Sequence, residues 1–189
     1  MKRIIAAVVI LAAAVSPVMS QGLGINLYAG GGLSVPMENL KDLWKTGYQG
    51  SVGLGLTPVP TLETVARFGY HAFPSKKDST GDKDFTISEY GLDVRANLAA
   101  PGFKFRPYAL IGAGFAKYEF ATTTVDRIVD AALEGLKPKT KFFYCFGGGI
   151  KVNAAPKLNF YLEGRYTKIS VPTGKIDYIP ISMGLNLSL

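Results

Sequence analysis

The chain has 189 residues, a formal net charge of +7, 48% hydrophobic residues and one cysteine. A single cysteine, Cys145, excludes an internal disulfide framework, and its small and aromatic neighbours suit a packing role. The Lys and Arg residues are scattered rather than clustered, which excludes a nucleic-acid footprint, and no ligand spacing points to a metal or cofactor.

The N-terminus opens with Lys2 and Arg3, followed by an uncharged apolar run over 4–15, then Ser16, Pro17 and the small-residue site Val18-Met19-Ser20. These are the three parts of a secretory signal peptide, and a run of about a dozen residues is too short to span a bilayer as a helix. Cleavage is expected after Ser20, leaving residues 21–189 as one domain with a net charge of +5 once Lys2 and Arg3 are gone.

Eight alternating or aromatic-rich segments follow, over 23–35, 47–57, 61–73, 85–99, 104–120, 141–154, 157–171 and 176–189. Most are about twice the length of a soluble-domain strand, which is roughly 5 to 6 residues. They suit tilted strands crossing a bilayer, which need about 9 to 11 residues in the hydrocarbon. The connections after the second, fourth and sixth segments are short and contain proline. Those after the first, third and fifth are long and polar, over 36–46, 74–84 and 121–140. Long loops at one end and tight turns at the other fit a barrel whose tight turns face the periplasm.

Period-two alternation assigns the faces. In the fourth segment Tyr90, Leu92, Val94, Ala96 and Leu98 oppose Glu89, Asp93, Arg95 and Asn97. Parity slips near Ser88, where Phe85 and Ile87 fall on odd positions; a bulge or the bilayer edge is expected there. The fifth segment is ambiguous, with Ala109, Ile111, Ala113 and Phe115 favoured as outward. In the seventh, Leu158, Phe160, Leu162 and Tyr166 oppose Asn159, Tyr161, Glu163, Arg165 and Thr167. The last segment alternates most strictly: Ile179, Ile181, Met183, Leu185, Leu187 and Leu189 are apolar, and the residues between are small or polar. A terminal strand of this kind must be paired on both edges, most simply by closing against the first strand.

Aromatics collect at segment ends: Tyr70, Phe73, Tyr118, Phe120, Phe142 and Tyr144 on the loop side, Phe103, Phe105 and Tyr108 on the turn side. Rings at both interfaces are expected of a bilayer protein. The loop 121–140 holds the one helical pattern, with Val125, Ile128, Val129, Ala132, Leu133 and Leu136 at helical spacing. Loop 36–46 is a second candidate, and its Trp44 reads as an interface anchor.

Six charged residues fall on the inner face at similar heights: Arg67, Asp93, Arg95, Lys151, Glu163 and Arg165. On the lipid face an Arg or Lys at mid-depth would cost about 2 to 4 kcal/mol. An eight-stranded barrel is just wide enough for side chains to fill it, so these six are expected to form an ion-pair plug. Four basic against two acidic groups would favour anions if water passed. The lone His71 lies near the outer end of the third segment; Ser75 and Ser51 are the hydroxyls that could approach it, and nothing marks a catalytic triad.

The signal peptide, the eight segments, the stretch RPYALIGAGFAKYEF and the terminal ISMGLNLSL together resemble the small outer-membrane β-barrel family, which includes the membrane domain of OmpA and the OmpX/Ail proteins. The resemblance implies an all-β, eight-stranded antiparallel up-and-down transmembrane barrel without enzymatic activity. It implies a bacterial outer-membrane location and a role as structural anchor, adhesin or minor pore. It also implies that Ile181, Met183, Leu185, Leu187 and Leu189 act as a signal to the barrel-assembly machinery; members usually end in an aromatic residue, and this chain ends in Leu189. Expected partners are outer-membrane lipid, that machinery, and an extracellular partner reached through loops 36–46, 74–84 and 121–140. Two alternatives stand beside this reading: a small gated pore, and a soluble lipocalin-like periplasmic barrel with its apolar face turned inward.

Overall fold

The computed structural model describes residues 24–38, 40–76, 84–99, 103–120, 139–171 and 174–189. The leader and the helical pattern of loop 121–140 lie outside them, save for the last two residues of that loop. The strands are β1 (Gly24–Pro36), β2 (Gly47–Val59), β3 (Leu62–Phe73), β4 (Phe85–Asn97), β5 (Phe105–Phe120), β6 (Lys139–Ala155), β7 (Leu158–Val171) and β8 (Gly174–Ser188). Each pairs antiparallel with its sequence neighbours, and β8 returns to β1 to close the barrel. The closing ladder runs from Asn26 opposite Ser188 to Pro36 opposite Tyr178, so the terminal strand is paired on both edges. Closure removes every sheet edge and satisfies the backbone within the wall, which a bilayer requires.

The alternation sorts the two faces. Leu92, Ile111, Phe115, Phe160, Met183 and Leu185 point outward and are exposed, whereas Arg67, Asp93, Arg95, Glu163 and Arg165 are buried inside. A soluble lipocalin-like barrel needs the reverse, with the apolar face filling the interior, so that alternative is corrected. Inward glycines let large interior side chains lie against the wall. A Cβ at Gly149 would sit 2.6 Å from the Tyr108 hydroxyl, and one at Gly91 would sit 2.8 Å from the Phe143 ring.

Three expectations are corrected here. No bulge interrupts β4 near Ser88: its ladders to β3 and β5 run unbroken past that residue. The register shifts lie instead at two short turns, between Leu56 and Val59 and between Asn153 and Ala155. Parity is preserved because Phe85 and Ile87 face inward and are buried; the interior itself changes from charged to apolar. Phe73 and Tyr108 likewise belong to the interior rather than to an interfacial ring, while Tyr70, Phe142, Tyr144, Phe103 and Phe105 are exposed. Finally, Trp44 is not an interface anchor. It follows a one-turn helix, α1 (Leu40–Leu43), and is 7% exposed, with its ring 5.1 Å from that of Phe85. The apolar interior at the loop end offers Trp44 more burial than the membrane interface would.

Candidate functional site in the barrel interior

Reading the inward residues from the short turns towards the long loops gives three tiers. The lowest is built of amides and hydroxyls: Asn159 donates to Asn186, Ser188 to Asn26, and Asn26 to Thr57. Arg106 reaches into this tier and donates to Asn159 at 2.9 Å.

The middle tier brings together all six charged residues singled out above and adds Glu63 and Glu89. Six of the eight form a chain of alternating sign. Arg95 contacts Glu163 at 3.0 Å, and Glu163 also accepts from Arg165. Arg165 then reaches Asp93 at 3.1 Å, Asp93 accepts from Arg67 at 3.2 Å, and Arg67 contacts Glu89 at 2.8 Å. The remaining pair, Lys151 and Glu63, meets at 2.6 Å. Tyr28 joins the two groups, donating to Glu63 at 2.6 Å while the Arg95 guanidinium lies 4.4 Å above its ring. Tyr108 donates to Glu163 at 2.7 Å. Cys145 is buried beside Asp93 and Arg165.

This corrects the expected charge excess. With Glu63 and Glu89 included, four basic groups face four carboxylates within this tier, with His71 uncounted. The argument for anion preference falls with it. Both carboxylates carried a usable signal. Glu63 shares parity with Arg67 on one strand, and Glu89 already stands on the face of Asp93 and Arg95 in the sequence. Charges this deep persist only when each is matched, because an unpaired buried charge costs several kcal/mol.

Above the ions, Ser34 and His71 Nδ1 lie 2.8 Å apart, His71 Nε2 is 3.6 Å from Glu89, and Tyr178 donates to Glu89. His71 meets Ser34 rather than Ser75 or Ser51. Serine, histidine and carboxylate are the residue types of a hydrolytic triad, but Ser34 has no exposed surface. The set lies between the two tiers, with Ser34 bonded to His71 and Tyr178 to Glu89, and a 3.6 Å gap between His71 Nε2 and Glu89.

The top tier is apolar. Phe73, Phe85, Ile87, Phe143, Ile169 and Tyr178 are all buried and form one cluster with Leu40 and Trp44. Backbone bonds fasten the loops above it: Lys45 N–H donates to Pro74 at 2.9 Å, Lys76 N–H to Leu43 at 3.0 Å, and Met37 N–H to Asp177 at 2.9 Å. Trp44 pairs with Ser75 in an isolated bridge. The first and second loops thus join over the mouth.

On the outer wall Ile181, Met183, Leu185 and Leu187 form an exposed apolar row on β8, with Leu189 exposed beyond its end.

None of the curated proteins matches this chain in sequence. Several solved structures match its fold. Neisserial surface protein A is 12% identical with a TM-score of 0.60 over 88% of this chain and 97% of that one. OprG from Pseudomonas aeruginosa is 12% identical with a TM-score of 0.57 over 88% and 96%. Ail of Yersinia pestis, in complex with the heparin analogue sucrose octasulfate, is 16% identical with a TM-score of 0.52 over 87% and 99%. At these identities the likeness establishes the eight-stranded barrel. The model of the outer membrane protein beta-barrel domain matches residues 4–188. A closed barrel with an apolar exterior, an internally matched ionic interior and this whole-length family match leads to one conclusion: the chain belongs to the outer membrane protein β-barrel domain family.

Proposed function

We propose that this chain is an integral outer-membrane barrel that neither catalyses nor conducts, and that it acts by holding its outer loops in place for surface interaction or envelope integrity. The filled interior carries the reading: a matched ionic tier beneath an apolar tier, with Trp44 and the first two loops closing the mouth. Dewetted apolar constrictions block ions as effectively as charges do. The leader over 1–20 is read as removed on export, and the outward row Ile181, Met183, Leu185, Leu187 and Leu189 as the segment handed to the assembly machinery. The loops 36–46, 74–84 and 121–140 are the parts free to meet an extracellular partner. The Ail complex holds a sulfated sugar. Lys41 and Lys45 are exposed on the first loop here, so a sulfated glycan is the first probe for this surface.

Planar-bilayer recording tests the reading. The purified barrel is expected to show no steady conductance, and neutralising Arg165 or Glu163 is expected to leave it silent. Steady current that changes with those two substitutions would establish the gated pore instead. Lys41→Glu combined with Lys45→Glu should abolish any glycan binding without loss of heat-modifiable gel mobility.

A further inference from the structure

The charges of this barrel are divided unevenly among its levels. The interior tier balances. The loop end carries both signs, with Lys41, Lys45 and Lys175 exposed beside Glu38, Asp42 and Asp84. The turn end is different. Beyond the buried Glu63–Lys151 pair, its charged side chains among the described residues are Lys104, Arg106 and Lys157, and none of these side chains is acidic.

These three sit together on the β5–β6–β7 side of the rim. Lys104 accepts from Asn153 N–H at 2.9 Å, which fixes it against the end of β6. Lys157 lies in the β6–β7 turn, with its carbonyl accepting from Ser188 N–H at 2.7 Å. Arg106 is held by Asn159. Phe103 and Phe105 flank Lys104 in sequence and are exposed, at 62% and 57%. Two bare rings beside a cation are costly in water and favourable at the boundary of acyl chains and headgroups. Lys104 and Lys157 are exposed, and among the described residues neither forms an ion pair with an Asp or Glu side chain.

We propose that this rim holds anionic phospholipid of the periplasmic leaflet, with Lys104 and Lys157 engaging the headgroup phosphate and Phe103 and Phe105 anchoring among the upper acyl carbons. The bare aromatic rings favour lipid over an anionic wall polymer, which would gain nothing from them. Near an anionic leaflet each basic side chain is worth about a fivefold preference, so the pair is worth roughly 25-fold. The proposal rests on the outer-membrane reading, with the short turns facing the periplasm.

The test is lipid retention. The full chain is refolded in vesicles containing phosphatidylglycerol and phosphatidylethanolamine, extracted in mild detergent, and weighed with its bound lipid by native mass spectrometry. Phosphatidylglycerol should be retained in preference, and the variant K104Q/K157N should lose that preference by roughly 25-fold. Asparagine is chosen at 157 because Lys157 has φ of 70°, a left-handed conformation that Asn tolerates. The opposite-rim variant K41Q/K45Q should retain lipid as the native chain does. Equal retention of both lipids, or undiminished retention in K104Q/K157N, overturns the proposal. So does co-sedimentation with purified cell-wall sacculi that depends on Lys104 and Lys157 while lipid retention is unchanged. Heat-modifiable mobility confirms that each variant is folded. A native chain that refolds as a soluble monomer without amphiphile defeats the outer-membrane reading itself, an outcome distinct from any difference between lipids.

Discussion

The middle and top tiers of the interior occupy the same tube, behind the same alternating wall, yet they are held by opposite physics. In the middle tier every charge has a counter-charge, and Arg165 is shared between Glu163 and Asp93. In the top tier Phe73, Ile87 and Ile169 fill space by contact alone. A matched ionic tier tolerates no single deletion, because the abandoned partner stays buried and charged. An apolar tier loses only the contacts and volume of the missing group. The difference teaches that a narrow barrel is best sealed by two unlike layers, each closed to what the other might pass.

The largest effect should come from the ionic hub. Arg165→Leu strips a shared cation from two carboxylates and is expected to destabilise the barrel by about 5 kcal/mol, read as the shift of a urea unfolding curve in lipid vesicles. A loss below about 1 kcal/mol would mean that the pairs contribute little and that the contrast between tiers is false.

Phe143→Ala in the top tier should cost about 4 kcal/mol in the same assay. It should also be the more effective substitution at admitting ions, because it empties the apolar seal. If current appears in the Arg165 variant and not in this one, the seal lies in the ionic tier instead.

The Lys151 and Glu63 pair sharpens the comparison. Lys151→Met alone should cost about 3 kcal/mol, since Glu63 then keeps only its bond from Tyr28. Adding Glu63→Gln should restore most of that loss, a coupling that a double-mutant cycle measures directly. Additive losses would show that charge matching is not what holds this level.

The smallest effect belongs to the outer wall. Met183 is 66% exposed in the structure, and in a bilayer acyl chains replace whatever contacts it gives up. Met183→Ala should therefore change stability by less than about 0.5 kcal/mol. A larger loss would indicate a protein neighbour on that face.

Strand number, closure and which residues share a face were legible in the sequence, because period-two alternation is a local property and a charge on the wrong parity is conspicuous; that the apolar face points outward was decided by the structure against the lipocalin-like alternative. Arg67, Asp93, Arg95, Lys151, Glu163 and Arg165 could be placed inside for that reason. The top tier could not be read in the same way. Phe85 and Ile87 are apolar and face inward while Thr86 and Ser88 face outward, so the alternation inverts where the interior stops being charged and reads as a slip of parity. Tertiary structure alone decided that Trp44 turns in over the mouth, that His71 meets Ser34, and that Glu63 and Glu89 bring the ionic tier to balance. Each depends on which strands lie across the tube from one another, a relation set by barrel closure and register and invisible to any one segment.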